Sequence, residues 1–298
     1  MDIAQLRNFV AVAEAGSYIR AADLLDVPQP TLSRQIRALE VELRASLFHR
    51  HGRGVLPTEA GKKFLEYARS VLHTVDQGIA AIRDTESMLT GRLGIGLTPS
   101  MGRLIVPTLM PRMVERFPRA QISVVEGLSG LLYERVLLGQ LDFALVLNPL
   151  HSSSLRVVPL VADPLCLIGP EPVGSAESEV SLEDVTRLPL ILPHGNQWVR
   201  PMLEAAATRL GLNLNIVLEI DSTPAVMELV AQGIGYSIMP NSLRKISRLP
   251  PMAWQKISGT NLDVVLSLIS PVRVLPSALV TEAAQLVRDT LTEVLGAD

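Results

Sequence analysis

The sequence predicts an α/β chain in three sections: a small helical module with a β-wing, one long helix, and a two-lobed α/β domain. Three observations carry this prediction. Residues 1–57 hold three closely spaced amphipathic helical stripes followed by a glycine-rich hairpin signal. Residues 58–90 contain no proline and only Gly61 and Gly78. From Gly91 onward, apolar strand-like runs alternate with amphipathic helices and short Pro/Gly turns. The expected boundaries are 1–58, 59–90 and 91–298.

The first stripe is Ile3, Leu6, Phe9, Val10 and Ala13, stopped by Gly16. Ser17 is suited to cap a short helix, Tyr18–Leu25, in which Ala21 and Ala22 allow close helix contact. In residues 27–43, Leu32, Ile36, Leu39 and Leu43 fall at i, i+4, i+7 and i+11, one face of a third helix. Pro28 and Pro30 fix its start, because a missing amide hydrogen does no harm in a first turn. Gln29, Thr31, Ser33, Arg34 and Arg37 lie near that start, turned away from the apolar face. Short and forked donors of this kind suit base edges and phosphates in a major groove.

Taken alone, this helix fits a bundle surface as well as a DNA groove. The order helix, short helix, turn, polar-faced helix favours the groove, as in a helix-turn-helix. Residues 47–50 and 55–57 flank His51-Gly52-Arg53-Gly54, a hairpin wing on which Arg50 and Arg53 would meet phosphates or a minor groove.

Along the long helix, Leu65, Ala68, Leu72, Val75, Ile79 and Ile82 repeat at heptad spacing. Such a stripe packs either on its own domain or against a second copy. Beyond it, strands are expected at 93–98, 121–126, 143–147, 164–168, 190–192, 216–220, 236–239 and 263–269. Helices are expected at 103–117, 131–138, 199–210, 225–232 and 277–295. The alternation predicts a largely parallel sheet in two lobes, lobe I being 91–162 with 269–298 and lobe II 163–268. Crossing strands near 161–165 and 264–269 would leave a cleft between them.

Residues 98–102, 127–130, 194–198 and 221–224 each lie at a strand end just before a helix. The amide hydrogens of a helix start favour anions, and clefts at the carboxyl ends of strands hold ligands. Thr98, Ser100, Met101, Gly127, Ser129, Asn196, Ser222 and Thr223 are therefore the candidate contacts for a small carboxylate. For Ser129, Ser222 and Thr223, helix capping is the competing role.

Composition narrows the class. The charge is 27 − 30 = −3, and residues 1–57 carry seven arginines against six acidic residues. DNA affinity would therefore depend on the placement of a few arginines rather than on a diffuse basic field. The single cysteine, Cys166, excludes an intramolecular disulfide and is expected to pack in an apolar strand. No signal-peptide pattern and no membrane-length apolar run is found, so a cytoplasmic location is expected and no membrane partner.

Gly94 and Gly96 lack the third glycine of a dinucleotide fingerprint, which would fall at Pro99. Of the five histidines only His49 and His51 form a His-x-His, on the wing, where solvent exposure is the better reading, and there is no P-loop or Gly-x-Ser-x-Gly. No enzyme activity, metal or cofactor is expected. A solute-binding protein without DNA function remains the alternative class.

Residues 1–61 resemble the N-terminal domain of the LysR-type transcriptional regulators. The matching residues include Gln5-Leu6-Arg7-Asn8-Phe9, Ala13-Glu14-Ala15-Gly16-Ser17, Gln29-Pro30-Thr31-Leu32-Ser33-Arg34-Gln35-Ile36 and Thr58-Glu59-Ala60-Gly61. Gly127, Leu138-Gly139-Gln140-Leu141-Asp142-Phe143 and residues 230–240 extend the resemblance to the effector-binding domain, which is like a type 2 periplasmic binding protein. The stretches 98–103 and 126–130 are most similar to the nitrogen assimilation control and organic-acid branch.

The resemblance implies base reading by Gln29, Pro30, Ser33 and Arg34 with Arg53 on the wing. It also implies a linker helix that pairs in a dimer, assembly to a tetramer on a two-fold promoter site, and RNA polymerase as a further partner. Within this branch an effector-independent regulator is also implied. Pro28 stands where the family usually has Ser or Thr, which removes a side-chain cap typically worth ~1 kcal/mol.

Overall fold

A computed structural model describes residues 1–51, 54–83, 89–149, 152–175, 178–195, 199–246, 249–258, 262–272 and 276–296, with the backbone alone at 50, 51 and 80–83. The chain opens with α1 (Ile3–Ala15), whose start is a reciprocal capping box: Gln5 N donates to Asp2 Oδ1 at 2.8 Å and Asp2 N to Gln5 Oε1 at 3.0 Å. Gly16, at φ 61°, ends it. Ser17 then caps α2 (Tyr18–Leu25), and α3 (Gln29–Leu43) starts directly after Pro28 with no side-chain cap, as the missing Ser or Thr implies.

β1 (Phe48–His51) and β2 (Gly54–Pro57) form the antiparallel wing, and α4 (Glu59–Arg83) is the long helix. One apolar core holds the helices and wing together, with the Phe9 ring 5.2 Å from Phe48 and 5.1 Å from Phe64, centre to centre.

The remaining chain forms β3 (Gly91–Leu97), α5 (Pro99–Arg116), β4 (Ala120–Glu126), α6 (Ser129–Leu137), β5 (Phe143–Leu147) and β6 (Leu155–Gly169). It continues as β7 (Val180–Ser181), α7 (Leu182–Arg187), β8 (Leu190–Leu192), α8 (Val199–Arg209), β9 (Ile216–Glu219), α9 (Thr223–Ala231) and β10 (Ser237–Pro240). A 3-10 helix (Asn241–Lys245), β11 (Ala253–Ser258), β12 (Asp263–Pro271) and α10 (Ala278–Gly296) complete it.

The main sheet runs β4-β3-β5-β12-β6-β11-β7, with β10 also on β6 and a separate parallel pair β8-β9. The first half of β6 pairs with β12, and its second half with β10 and β11, so one strand passes through both lobes.

The sheet is mixed rather than largely parallel. β3 pairs in parallel with β4 and β5, but β12 is antiparallel to β5 and β6, and β6 to β10 and β11. The reason is connectivity: β6 carries the chain out of lobe I and β12 brings it back, so the two run in opposite directions. Asp163 lies at this junction. Its buried carboxylate accepts from Ser242 N at 3.1 and 3.3 Å, tying the 3-10 helix to the crossing strand. Cys166 is buried in β6, and burial pushes its thiol up to about 11.

Candidate nucleic-acid interface and interlobe cleft

On α3, Leu32, Ile36 and Leu39 are fully buried and anchor the helix on α1 and α2. Asn8 of α1 adds a side-chain hydrogen bond to Gln35. Gln29, Pro30, Arg34 and Arg37 are exposed, and Thr31 and Ser33 half-buried, so the candidate base readers share one face of the first two to three turns. Among the described residues neither arginine is tied to a carboxylate, which leaves both guanidinium groups available for phosphate and base edges.

Glu40 fixes the wing to this helix, its Oε1 accepting from Leu47 N at 2.7 Å and Phe48 N at 3.3 Å. Sequence reasoning gave Glu40 no role; its place one turn before the end of α3 was the available signal. Arg53 and the Arg50 side chain lie outside the described residues.

The linker packs closely on the module. Thr58 Oγ1 accepts from Gly61 N at 2.9 Å and donates to Ser46 O at 2.7 Å. Of the heptad stripe, Ala68 is buried in the module's own core, and Leu65 and Leu72 pack against that core. That part of the stripe serves the intramolecular role. Val75 is half-buried, Ile79 is exposed, and the Ile82 side chain lies outside the described residues. Tyr67 and Val71 are exposed on a neighbouring face.

In the C-terminal domain a cavity of about 110 Å3 opens between the lobes. Thr98, Ser100, Ser129 and Thr223 line it, together with Pro193, Asp221 and Ile238. Met101 instead points into the core at 1% exposure, and Gly127 and Ser222 are not in the wall. Met101 is the third residue of α5, where the helix turns its side chain toward the sheet. Asn196 lies outside the described residues.

The capping alternative is not what the hydroxyls do. Ser129 Oγ accepts from Leu147 N at 3.4 Å, Ser222 makes no side-chain cap, and Thr223 is already inside α9. Thr98 Oγ1 and Ser100 Oγ are 3.3 Å apart. The starts of α5, α6 and α9 thus meet at one cavity, and none has a side-chain cap. Their first-turn amides carry the positive end of each helix dipole.

Asp221 also lines the cavity and accepts from His194 N at 3.0 Å, with His194 Nδ1 at 3.1 Å. The wall residues Leu147, Val199 and Val226 were not anticipated. They belong to buried apolar runs whose sequence carries no sign of a cleft.

A winged helix-turn-helix joined to a two-lobed domain with an interlobe cavity defines a DNA-binding regulator with an effector-binding domain. Residues 3–62 match the bacterial regulatory helix-turn-helix protein, lysR family, and residues 86–292 match the LysR substrate binding domain. The chain belongs to the LysR family of transcriptional regulators.

It is 35% identical over 240 residues to the HTH-type transcriptional regulator BbuR of Bordetella bronchiseptica, covering 80% of this chain and 74% of that protein. It is 30% identical over 270 residues to the nitrogen assimilation regulatory protein nac of Klebsiella aerogenes, covering 90% and 88%. The second relative agrees with the branch that the sequence resembles. Among solved structures, full-length CbnR complexed with its target DNA superposes with a TM-score of 0.71 at 25% identity, over 97% of this chain and 100% of that one. No helix among the described residues is long and apolar enough to cross a membrane.

Proposed function

We propose that this regulator binds a promoter site of approximate two-fold symmetry as a homodimer, paired into a homotetramer, and that a small carboxylate in the interlobe cavity controls it. The units are the winged module 1–58, the linker 59–90 and the effector-binding domain 91–298. Gln29, Pro30, Thr31, Ser33 and Arg34 read base edges, while Arg37, Arg50 and Arg53 hold phosphates or the minor groove. Thr98, Ser100, Ser129 and Thr223 hold the effector. RNA polymerase in the cytoplasm is the downstream partner.

The observation that carries the effector class is the convergence of three helix starts without side-chain caps on one cavity. A ligand shifts the arrangement of lobes, and hence of DNA-binding pairs, only by its difference in affinity for the two arrangements.

One observation favours a second reading, regulation without an effector. The cavity is small, and its only charged lining residue among those described is the Asp221 carboxylate, which repels an anion.

Fluorescence anisotropy with DNA upstream of the gene, across salt and with a panel of small carboxylates, tests both. Preference over a scrambled duplex that one carboxylate changes supports the effector reading. Preference that no carboxylate changes supports the second, and no preference at any salt refutes the regulator. Arg34→Ala is expected to weaken binding to the cognate site by ~1–3 kcal/mol without altering the fold. Unchanged affinity would remove α3 from base reading.

A further inference from the structure

The geometry points to a second ligand site, remote from the interlobe cleft, that takes a monocarboxylate with a hydrocarbon body. A cavity of about 400 Å3 lies between α10 and the face of β5, β6 and β12, with Gln77 of α4 in its wall. It shares no lining residue with the interlobe cavity. Phe143, Val158, Leu268 and Val280 make its lining mainly apolar.

Two cations stand in this apolar lining, Arg156 from β6 and Arg288 from α10. Neither is paired to a carboxylate among the described residues, and the Arg288 Nε–H is buried with no hydrogen-bond partner. A buried, unsatisfied guanidinium donor is unfavourable unless something accepts from it.

The carboxylates of the wall are already committed. Glu282 pairs with Arg116 outside the cavity. Asp142 accepts from Gly94 N at 2.7 Å and from the Gln77 amide, and lies 3.2 Å from His73 Nε2. What is left unmatched is positive charge above an apolar floor, which a carboxylate with a ring or a medium-length chain would complete by charge-assisted hydrogen bonds. Because Gln77 belongs to the linker and bonds Asp142 of lobe I, occupancy at this site would bear on how α4 docks against the effector-binding domain.

The test is calorimetric titration of the full-length protein with octanoate and 3-phenylpropionate, using acetate, 1-octanol and 3-phenylpropanol as controls. At least one of the two acids is expected to bind and to raise the melting temperature, while its alcohol and acetate do not. Arg288→Gln and Arg156→Gln should each weaken binding at least about tenfold. Arg156 is exposed, so its variant carries the test even if Arg288→Gln misfolds. Thr98→Val, in the interlobe cavity, should leave this affinity unchanged.

Absence of binding by both acids at millimolar concentration overturns the site, as does equal binding of acid and alcohol. Binding lost in Thr98→Val but kept in Arg156→Gln would also overturn it, by assigning the ligand to the interlobe cavity.

Discussion

At Gly61 the backbone of the linker helix meets the backbone of the module. A Cβ built there would lie 2.0 Å from the Leu47 carbonyl oxygen, a rigid main-chain atom just before the wing. Gly61→Ala is therefore expected to destabilise the N-terminal unit by ~1–3 kcal/mol, read as a lower urea midpoint. Asp163 makes a different prediction. Burial pushes its carboxyl above the ordinary value of 3.8, with Asp263 adding to the shift and the Ser242 and Asn241 amides opposing it. The folded protein thus holds this proton more tightly than the unfolded chain. The resulting stability is complete below the unfolded value and is lost as pH rises through the raised one. Asn can still accept from Ser242 N without carrying charge. The stability of Asp163→Asn relative to wild type should therefore be greater at neutral pH than near about pH 3.5, and a gap that does not change with pH would contradict the assignment.

Among the elements, α4 has two apolar faces with different uses. Leu65, Ala68 and Leu72 turn toward the module, whereas Tyr67, Val71, Val75 and Ile79 follow at four-residue steps, three of them exposed. If this second stripe pairs two copies, Val71→Glu with Ile79→Glu should weaken the dimer at least about tenfold by burying unpaired charge, as seen by sedimentation. Leu65→Ala should instead lower the melting temperature of the module. The heptad was legible in the sequence, but periodicity names a face and not its partner. The starts of α2 and α3 were legible too, because Ser17 and Pro28 are local signals, whereas the Asp2 capping box of α1 was not read from the sequence. β6 was read only over its last residues, since Pro159, Asp163 and Pro164 break a strand pattern. In the fold, the register against β12 shifts between Val161 and Pro159, leaving Leu160 as a bulge that accommodates the proline. β7, α7 and β11 are short or polar, and it is their tertiary neighbours that define them.

For the whole molecule, the small net negative charge makes DNA binding a matter of a few placed cations. Each phosphate neutralised should contribute about 0.9 to the slope of log affinity against log salt. Arg37→Ala, on the exposed face of α3, is expected to weaken cognate and scrambled duplexes alike and to reduce that slope by about 1. A loss confined to the cognate duplex would make Arg37 a base reader instead. The cleft was legible as a gap between two lobes and as helix starts at strand ends, but its apolar wall was not, because Leu147, Val199 and Val226 come from elements far apart in the chain. The crossing strands have one more consequence. β6 and β12 face each other antiparallel at Pro164 and Asp263, and Leu165 N still reaches Leu262 O at 3.1 Å. Topologically, residues 165–262 are a hairpin loop grown to the size of a domain. Cutting them out would leave two strand ends side by side, ready to be rejoined by a tight turn, so lobe I is a unit from which a stand-alone scaffold could be built.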